Sequence, residues 1–330
     1  MRAFVTGATG GLGRNLCRRL ANDGAECTGM GRDPDAGRWL RDAGVRFAKI
    51  DLADTAAMAA AMANHEVVFH CAALSSTWGP AEAFRAANVT GTSNVLEAAR
   101  RAGVRRVVFV STPSIYFDFR DRRDIREDDP LPVRPVNAYA ASKREAEQIV
   151  RGAAAAGADC VTVRPRGIVG PWDQALAPRL ARVARRGWIP VPNRDALVDV
   201  TCVANVVDAL LAAAAAGPGI SGRAYNVTNG APVSVGGLLR DVLDALGLAA
   251  RLVPIPARPA IAFARLLETI ARRTGSGEPP VTAYSVGLLA YDQTLDIGAA
   301  RRDLGWEPRQ SLADGLAVTG AWWKERNGNG

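Results

Sequence analysis

The chain has 330 residues, enough for one large domain or two smaller ones with real cores. Its 48% apolar and 22% charged content is that of a soluble globular protein. The net charge of +8 is carried by arginines spread along the chain, often beside acids as in Arg120-Asp121-Arg122-Arg123-Asp124, with no basic run interleaved with aromatics. That sets nucleic acid aside and leaves an arginine-biased surface with some attraction for anionic ligands or lipid.

In chain order, Ala3–Thr6, Glu26–Met30, Val45–Ile50, Val67–Cys71, Val107–Ser111 and Cys160–Arg164 read as strands. Between them lie the helical stretches Leu12–Asn22, Asp35–Ala43, Asp54–Ala63, Pro80–Ala102 and Tyr139–Ala156. A further helix, Val203–Ala215, precedes a strand at Ala224–Thr228. Short strands separated by helices imply crossovers, hence a parallel sheet covered on both faces. The expected fold is α/β, a Rossmann-type doubly wound sheet with a smaller, mostly helical substrate-binding domain. Residues 1–165 and 197–229 are assigned to the dinucleotide domain, and 166–196 and 230–330 to the substrate side. The proline-rich, charged stretch Phe117–Val136 reads as a surface excursion, and residues 327–330 as a frayed tail.

The first strand follows the initiating Met directly, so no leader is expected, and no apolar run reaches membrane-spanning length. Five cysteines without metal or redox spacing fit a reducing, cytoplasmic compartment. Two histidines, His65 and His70, are too few for a histidine metal site, and no metal is expected.

Thr6-Gly7-Ala8-Thr9-Gly10-Gly11-Leu12-Gly13 follows the first strand and opens a helix. Glycines there permit a tight turn and close approach of backbone N–H groups to a pyrophosphate, and the helix N-terminus adds a favourable dipole. About 20 residues on, where an acid would grip the adenosine ribose, stand Gly31-Arg32-Asp33. Arg32 can pair with a 2′-phosphate, which favours NADP(H), with NAD(H) still open; the alternative has Arg32 in water and Asp33 on the ribose. Asp51-Leu52, after the third strand, is placed to reach the adenine; alternatively Asp51 caps the next helix. Tyr139 and Lys143, four apart, share a helix face. A nearby ammonium would favour the phenolate and fit Tyr139 for proton exchange with a substrate oxygen.

These residues resemble the extended branch of the short-chain dehydrogenase/reductase superfamily. Further matches follow in order: His70-Cys71-Ala72-Ala73, Asn88–Asn94, Ser111-Thr112-Pro113-Ser114-Ile115-Tyr116, Arg164–Pro171 and Tyr225-Asn226-Val227. Within that branch, Trp78-Gly79-Pro80, Gly170–Asp173, Pro178-Arg179-Leu180, Val198–Thr201, Asn205–Ala209, Pro279-Pro280 and Asp296–Trp306 resemble the 3β-hydroxysteroid dehydrogenase-like group. That group includes sterol-4-carboxylate dehydrogenases and bacterial 2-alkyl-3-keto acid reductases.

The resemblance implies Tyr139 as acid/base, Lys143 as ribose anchor that lowers the tyrosine pKa, and Thr112 as the hydroxyl on the reacting oxygen, with Ser111 and Ser114 as alternates. It implies cofactor contacts at Gly7, Thr9, Gly10, Gly11, Leu12, Gly13, Arg32, Asp51, Leu52, Ala72, Ala73, Asn88, Ser111, Tyr139, Lys143, Pro165 and Ile168. Trp78, Ser114 and Trp172 are substrate-side candidates, although both tryptophans fit core packing equally well. The expected reaction is hydride transfer between nicotinamide and a secondary alcohol or ketone on a hydrophobic small molecule. The rivals are a nucleotide-sugar epimerase or dehydratase, gripping a diphosphate with Arg179, Arg182, Arg185 and Arg186, and a non-catalytic NADP-binding sensor. A homodimer is expected. In Ala257–Arg273, the apolar set Ile261, Phe263, Leu266, Leu267 and Ile270 reads either as core packing or as a pocket cap resting peripherally on a membrane.

Overall fold

The structure, a computed structural model, describes residues 1–174 and 176–327, with position 36 described by its backbone alone. Seven strands form one parallel sheet: β1 (Arg2–Thr6), β2 (Glu26–Gly31), β3 (Arg46–Lys49), β4 (Val67–His70), β5 (Arg106–Val110), β6 (Cys160–Pro165) and β7 (Ala224–Val227). Their order across the sheet is β7-β6-β5-β4-β1-β2-β3. Four of the five residues of β1 and all of β4 and β6 are buried, as strands covered on both faces must be. Phe4, Val68 and Phe109 join the core on one side, with helices Gly91–Arg101 and Ala138–Ala155. Val5, Phe69 and Val163 join the core on the other, with helices Gly11–Asn22 and Val203–Ala215. Each such side chain contributes about 1.5–3 kcal/mol by leaving water.

The strand order runs outward from β1 in both directions, so the carboxyl ends of β1 and β4 flank the switch point where a doubly wound sheet opens a crevice. The expected strands and helices lie where the apolar periodicity put them, with one refinement. Pro80–Ala102 is not a single regular helix: a short α segment Ala81–Phe84 passes through a wide π-helical turn, Arg85–Thr90, into Gly91–Arg101. The buried Asn88 lies in that turn.

A second core gathers Leu180, Ile189, Val191, Val198, Leu239, Val242 and Leu316. Around it, Trp188–Val191 pairs with Arg251–Pro254, and Leu197–Val198 joins a four-stranded sheet with Val233–Ser234, Gln293–Leu295 and Arg122–Ile125. The stretch Phe117–Val136 is therefore not a plain surface excursion. It supplies a strand of that sheet, and Phe117 and Ile125 are buried. Leu197–Val198 thus pairs on the substrate side, while Ile297, Ala300 and Trp306 pack into the main core. The expected frayed tail at 328–330 lies outside the described residues. Among them, no helix is long and apolar enough to cross a membrane.

Candidate active site

The glycine turn sits at the carboxyl end of β1. Gly7 has φ +67°, and a Cβ there would lie 2.7 Å from the Ala72 backbone after β4. A Cβ on Gly13 would lie 2.2 Å from the Gly7 carbonyl oxygen, and the Gly10 N–H donates to that same oxygen at 3.0 Å. The helix Gly11–Asn22 starts without a side-chain cap and without an acid in its first turn. Unclaimed N–H groups and the positive dipole end face a cradle that side chains would fill, which fits a dinucleotide pyrophosphate. Gly31 is needed for a different contact: a Cβ there would lie 2.6 Å from Thr9 Cγ2, so Thr9 occupies the room. Arg32 is 85% exposed, its nearest acid Asp51 at 4.0 Å. The helix cap after β3 is Asp54, which accepts from Ala57 N–H at 2.9 Å, while Asp51 closes a local turn by accepting from Ala53 N–H. Leu52 lines the helix Gly91–Arg101, where a Gly91 Cβ would lie 3.1 Å from Leu52 Cδ1.

His70, at the end of β4, is buried and bonded at both nitrogens, Nδ1 to Thr6 Oγ1 at 2.8 Å and Nε2 to Thr92 Oγ1 at 3.0 Å. Burial, assisted by the nearby Lys143 charge, lowers its pKa to about 3, so it is a neutral strut. Asn88 is also fully engaged. Its Oδ1 accepts from Leu74 N–H at 2.7 Å, and its Nδ2 donates to Leu74 O at 3.0 Å and to Ser142 Oγ at 2.9 Å. In place of the expected cofactor contact, Asn88 pins the loop after β4 to the Tyr139 helix.

That helix, Ala138–Ala155, is capped by Asn137 Oδ1 on Ala140 N–H at 2.8 Å. One turn in, Lys143 is 2% exposed, donates from Nζ to the Val110 carbonyl at 2.6 Å and stands 4.1 Å from the Phe109 ring centre. Burial lowers its pKa to about 7. Tyr139 moves the other way: burial pushes it up to about 12, and a hydrogen bond with Thr112 opposes this. Lys143 is not among the groups that shift Tyr139, so the expected lysine-lowered phenol is absent from this arrangement.

Thr112, just past β5, caps the single turn Pro113–Tyr116 by accepting from Ser114 N–H at 3.2 Å. Its hydroxyl also donates to Ser114 Oγ at 3.0 Å, and Ser114 Oγ shares a proton with Tyr284 Oη at 2.6 Å. Hydroxyls thus run Tyr139, Thr112, Ser114, Tyr284. Ser111 Oγ is buried without a hydrogen-bond partner. Pro165 and Ile168 flank the turn after β6, and Ile168–Val169 pairs with Thr201–Cys202.

Tyr284 is the residue that sequence reasoning missed. It lies 170 positions from Ser114, and no local spacing encodes that meeting. Its ring packs edge-on against Phe117 at 5.5 Å, and Phe117 and Phe119 in turn meet Tyr291. Arg265, on the helix Ala257–Thr274, stacks over Phe119 at 5.1 Å. The same helix places Arg272 over Trp78 at 5.2 Å. Trp78 therefore borders this aromatic roof. Trp172 does not: it packs on Trp39 with ring centres 4.7 Å apart, and its carbonyl oxygen would meet a Gly11 Cβ at 2.7 Å. The substrate-side expectation for Trp172 is corrected by this placement over the dinucleotide turn.

A switch-point glycine cradle faced by a tyrosine–lysine helix and a post-β5 threonine defines a nicotinamide-dependent oxidoreductase of the extended short-chain dehydrogenase/reductase type. The chain belongs to the NAD dependent epimerase/dehydratase family, whose model matches residues 3–228. It is 37% identical over 321 residues to the 4-hydroxy-2-methyl-3-oxo-4-farnesyl-3,4-dihydroquinoline-1-oxide ketoreductase of Stigmatella aurantiaca, covering 96% of this chain and 95% of that one. It is 35% identical over 325 residues to the 2-alkyl-3-oxoalkanoate reductase of Stenotrophomonas maltophilia (strain K279a), covering 96% and 97%. Among solved structures, MoeE5 in complex with UDP-glucose and NAD superposes with a TM-score of 0.77 at 26% identity, over 99% of each chain.

Proposed function

We propose that this protein reduces a ketone on a hydrophobic 3-oxo compound, or oxidises the matching 3-hydroxy compound, with NADP(H) preferred to NAD(H). The observation that carries the reading is the hydrogen bond between Thr112 and Tyr139 beneath the roof of Phe117, Phe119, Tyr284 and Tyr291. The nicotinamide supplies the hydride when bound. Thr112 donates to the carbonyl oxygen and polarises it, and Tyr139 gives that oxygen its phenolic proton as charge develops. Burial keeps the proton on Tyr139 at neutral pH, which suits a donor to a ketone. Lys143 lies one helical turn on, within reach of a ribose hydroxyl once its Nζ leaves the Val110 carbonyl. The names of the two relatives above, both reductases of 3-oxo compounds, support this substrate class.

A nucleotide-sugar reading is less favoured by the side chains. Arg179, one of its four candidate diphosphate grips, is paired with Glu278 at 3.3 Å on the surface. Arg32 supports the NADP(H) preference. Phe263, Leu266 and Ile270 supply an exposed apolar stripe for peripheral membrane contact or for a homodimer, with a cytoplasmic location. The test is a panel of medium-chain and polycyclic 3-ketones, 3-hydroxy compounds and UDP-glucose, each with NADPH and NADP or NADH and NAD. Stoichiometric absorbance change with the apolar ketones is expected. Turnover of UDP-glucose without net cofactor change, and none with the ketones, overturns the reading.

A further inference from the structure

Two arginines stand two residues apart after the start of β6, in opposite circumstances. Arg164 is fully paired with Glu147. Arg166 is 8% exposed, yet among the described residues its guanidinium has no hydrogen bond and no carboxylate within ion-pair distance. Its hydrogen bonds are made by its backbone alone, to Val227 O and from Thr201 Oγ1. The nearest counter-charge, Asp199, is committed elsewhere: Oδ2 accepts from Leu295 N–H at 2.7 Å, and Oδ1 has no partner. An unpaired buried cation is costly, and a protein that keeps one holds a place for an anion. The guanidinium lies near enough to the Tyr284 phenol to favour its ionised form, and Tyr284 ends the hydroxyl run that starts at Tyr139.

We infer that Arg166 grips a carboxylate on the substrate, so that the ketone reduced between Thr112 and Tyr139 belongs to a 3-oxo acid anion with an apolar chain. This rests on the reductase reading above and adds the feature that selects acids over neutral ketones. A carboxylate two bonds from the carbonyl carbon would reach past Ser114 and Tyr284 toward Arg166, while the chain lies under the aromatic roof. The fork of guanidinium donors suits two carboxylate oxygens. The carboxylate is unchanged in the reaction: the carbonyl carbon gains the hydride, its oxygen gains the Tyr139 proton, and the dinucleotide is oxidised.

The test compares 3-hydroxydecanoate with its methyl ester as substrates for oxidation, in the parent and in Arg166→Met and Arg166→Lys. In the parent, the acid is expected to have the lower KM. Arg166→Met is expected to raise KM for the acid about 10- to 100-fold, the range of a charged hydrogen bond, and leave the ester within about twofold. Arg166→Lys is expected to restore part of the loss. Melting of Arg166→Met should be unchanged or higher, since no pair is broken; a lower melting temperature with equal losses on acid and ester would make Arg166 structural and overturn the inference. Equal KM values for acid and ester in the parent would also overturn it while leaving the reductase reading intact. Calorimetric titration of the full chain with decanoate and decanol reads the site without turnover. Decanoate binding that Arg166→Met abolishes supports the grip even if neither substrate reacts, in which case the reductase reading alone fails. Decanoate binding equal in both proteins overturns the grip.

Discussion

Arg164 and Glu147 meet through two parallel hydrogen bonds, Nε to Oε1 at 2.9 Å and Nη2 to Oε2 at 2.6 Å, with only 2% and 6% of their side chains exposed. The pair bolts the Tyr139 helix to β6, and Arg164 also donates to the Tyr116 hydroxyl. Removing one partner leaves the other buried and charged. Arg164→Met should therefore cost about 3–5 kcal/mol, whereas the double variant with Glu147→Leu should recover much of it. Urea unfolding of the four proteins of the cycle measures this. A single-variant cost under about 1 kcal/mol would show that the pair contributes only as an exposed bridge does.

His70 gives a pH signature. Its folded pKa, about 3, lies below its ordinary value of 6.5. Between those values the unfolded chain binds a proton that the folded chain does not, so stability falls as pH falls through that window, by up to about 1.4 kcal/mol per pH unit. His70→Gln retains donors and acceptors for Thr6 and Thr92 without the titration. The difference in unfolding free energy between parent and variant should shift in favour of His70→Gln from pH 6.5 downward. A difference that stays flat over that range would mean His70 is protonated in the fold. Asp199, raised to about 6 by burial, acts in the opposite direction in both proteins and cancels from the comparison.

The sheet and the glycine turn were legible because their signals are local: apolar strands, a turn that tolerates no Cβ, and helix periodicity. The pairing of Tyr139 with Lys143 was legible for the same reason, but the consequence drawn from it was not. Spacing places both on one face, yet it cannot say that Lys143 turns inward to the Val110 carbonyl while burial raises Tyr139. Asn88 was assigned to the cofactor because its motif is contiguous, whereas its three hydrogen bonds run to Leu74 and Ser142, a neighbour 54 residues on. Tyr284 and the strand Arg122–Ile125 depend on contacts across more than half the chain, so tertiary packing alone exposes them.

Tyr139→Phe should lower turnover of the best ketone by at least about a thousandfold, within the range of general acid catalysis. The ring keeps its place near Phe84, 6.4 Å between centres, because only the oxygen is lost. Fluorescence titration of NADPH should give a Kd within about threefold of the parent, which separates chemistry from binding. A rate within about tenfold of the parent, only ~1.4 kcal/mol of barrier, would remove Tyr139 as the proton donor.

Arg32→Ala should narrow the preference for NADPH over NADH by about 10-fold or more, since a charged hydrogen bond to phosphate contributes about 1.5–3 kcal/mol. Arg32 is 85% exposed and only loosely associated with Asp51, so its removal should leave the melting temperature unchanged. Titration of both cofactors into both proteins reads the ratio directly. An unchanged ratio would mean that Arg32 faces only solvent.

The helix Ala257–Thr274 has two faces. Ile261, Ala264 and Ala271 are buried, whereas Phe263, Leu266 and Ile270 are 58%, 56% and 47% exposed, at spacings that form one stripe. Leu266 is therefore not core, and Leu266→Glu should change the melting temperature by less than about 2 °C, as a surface substitution does. Arg258, Arg265, Arg272 and Arg273 accompany the stripe, the composition of a helix lying in a lipid interface. Binding to vesicles of mixed neutral and anionic phospholipid should be strong for the parent, weak for Leu266→Glu, and weaker for both at high salt. Equilibrium sedimentation without lipid distinguishes the other occupant: if Leu266→Glu converts a dimer to a monomer and vesicles bind neither protein, the stripe meets a second copy of the chain and not a membrane. A large drop in melting temperature would instead place the stripe in the folded core.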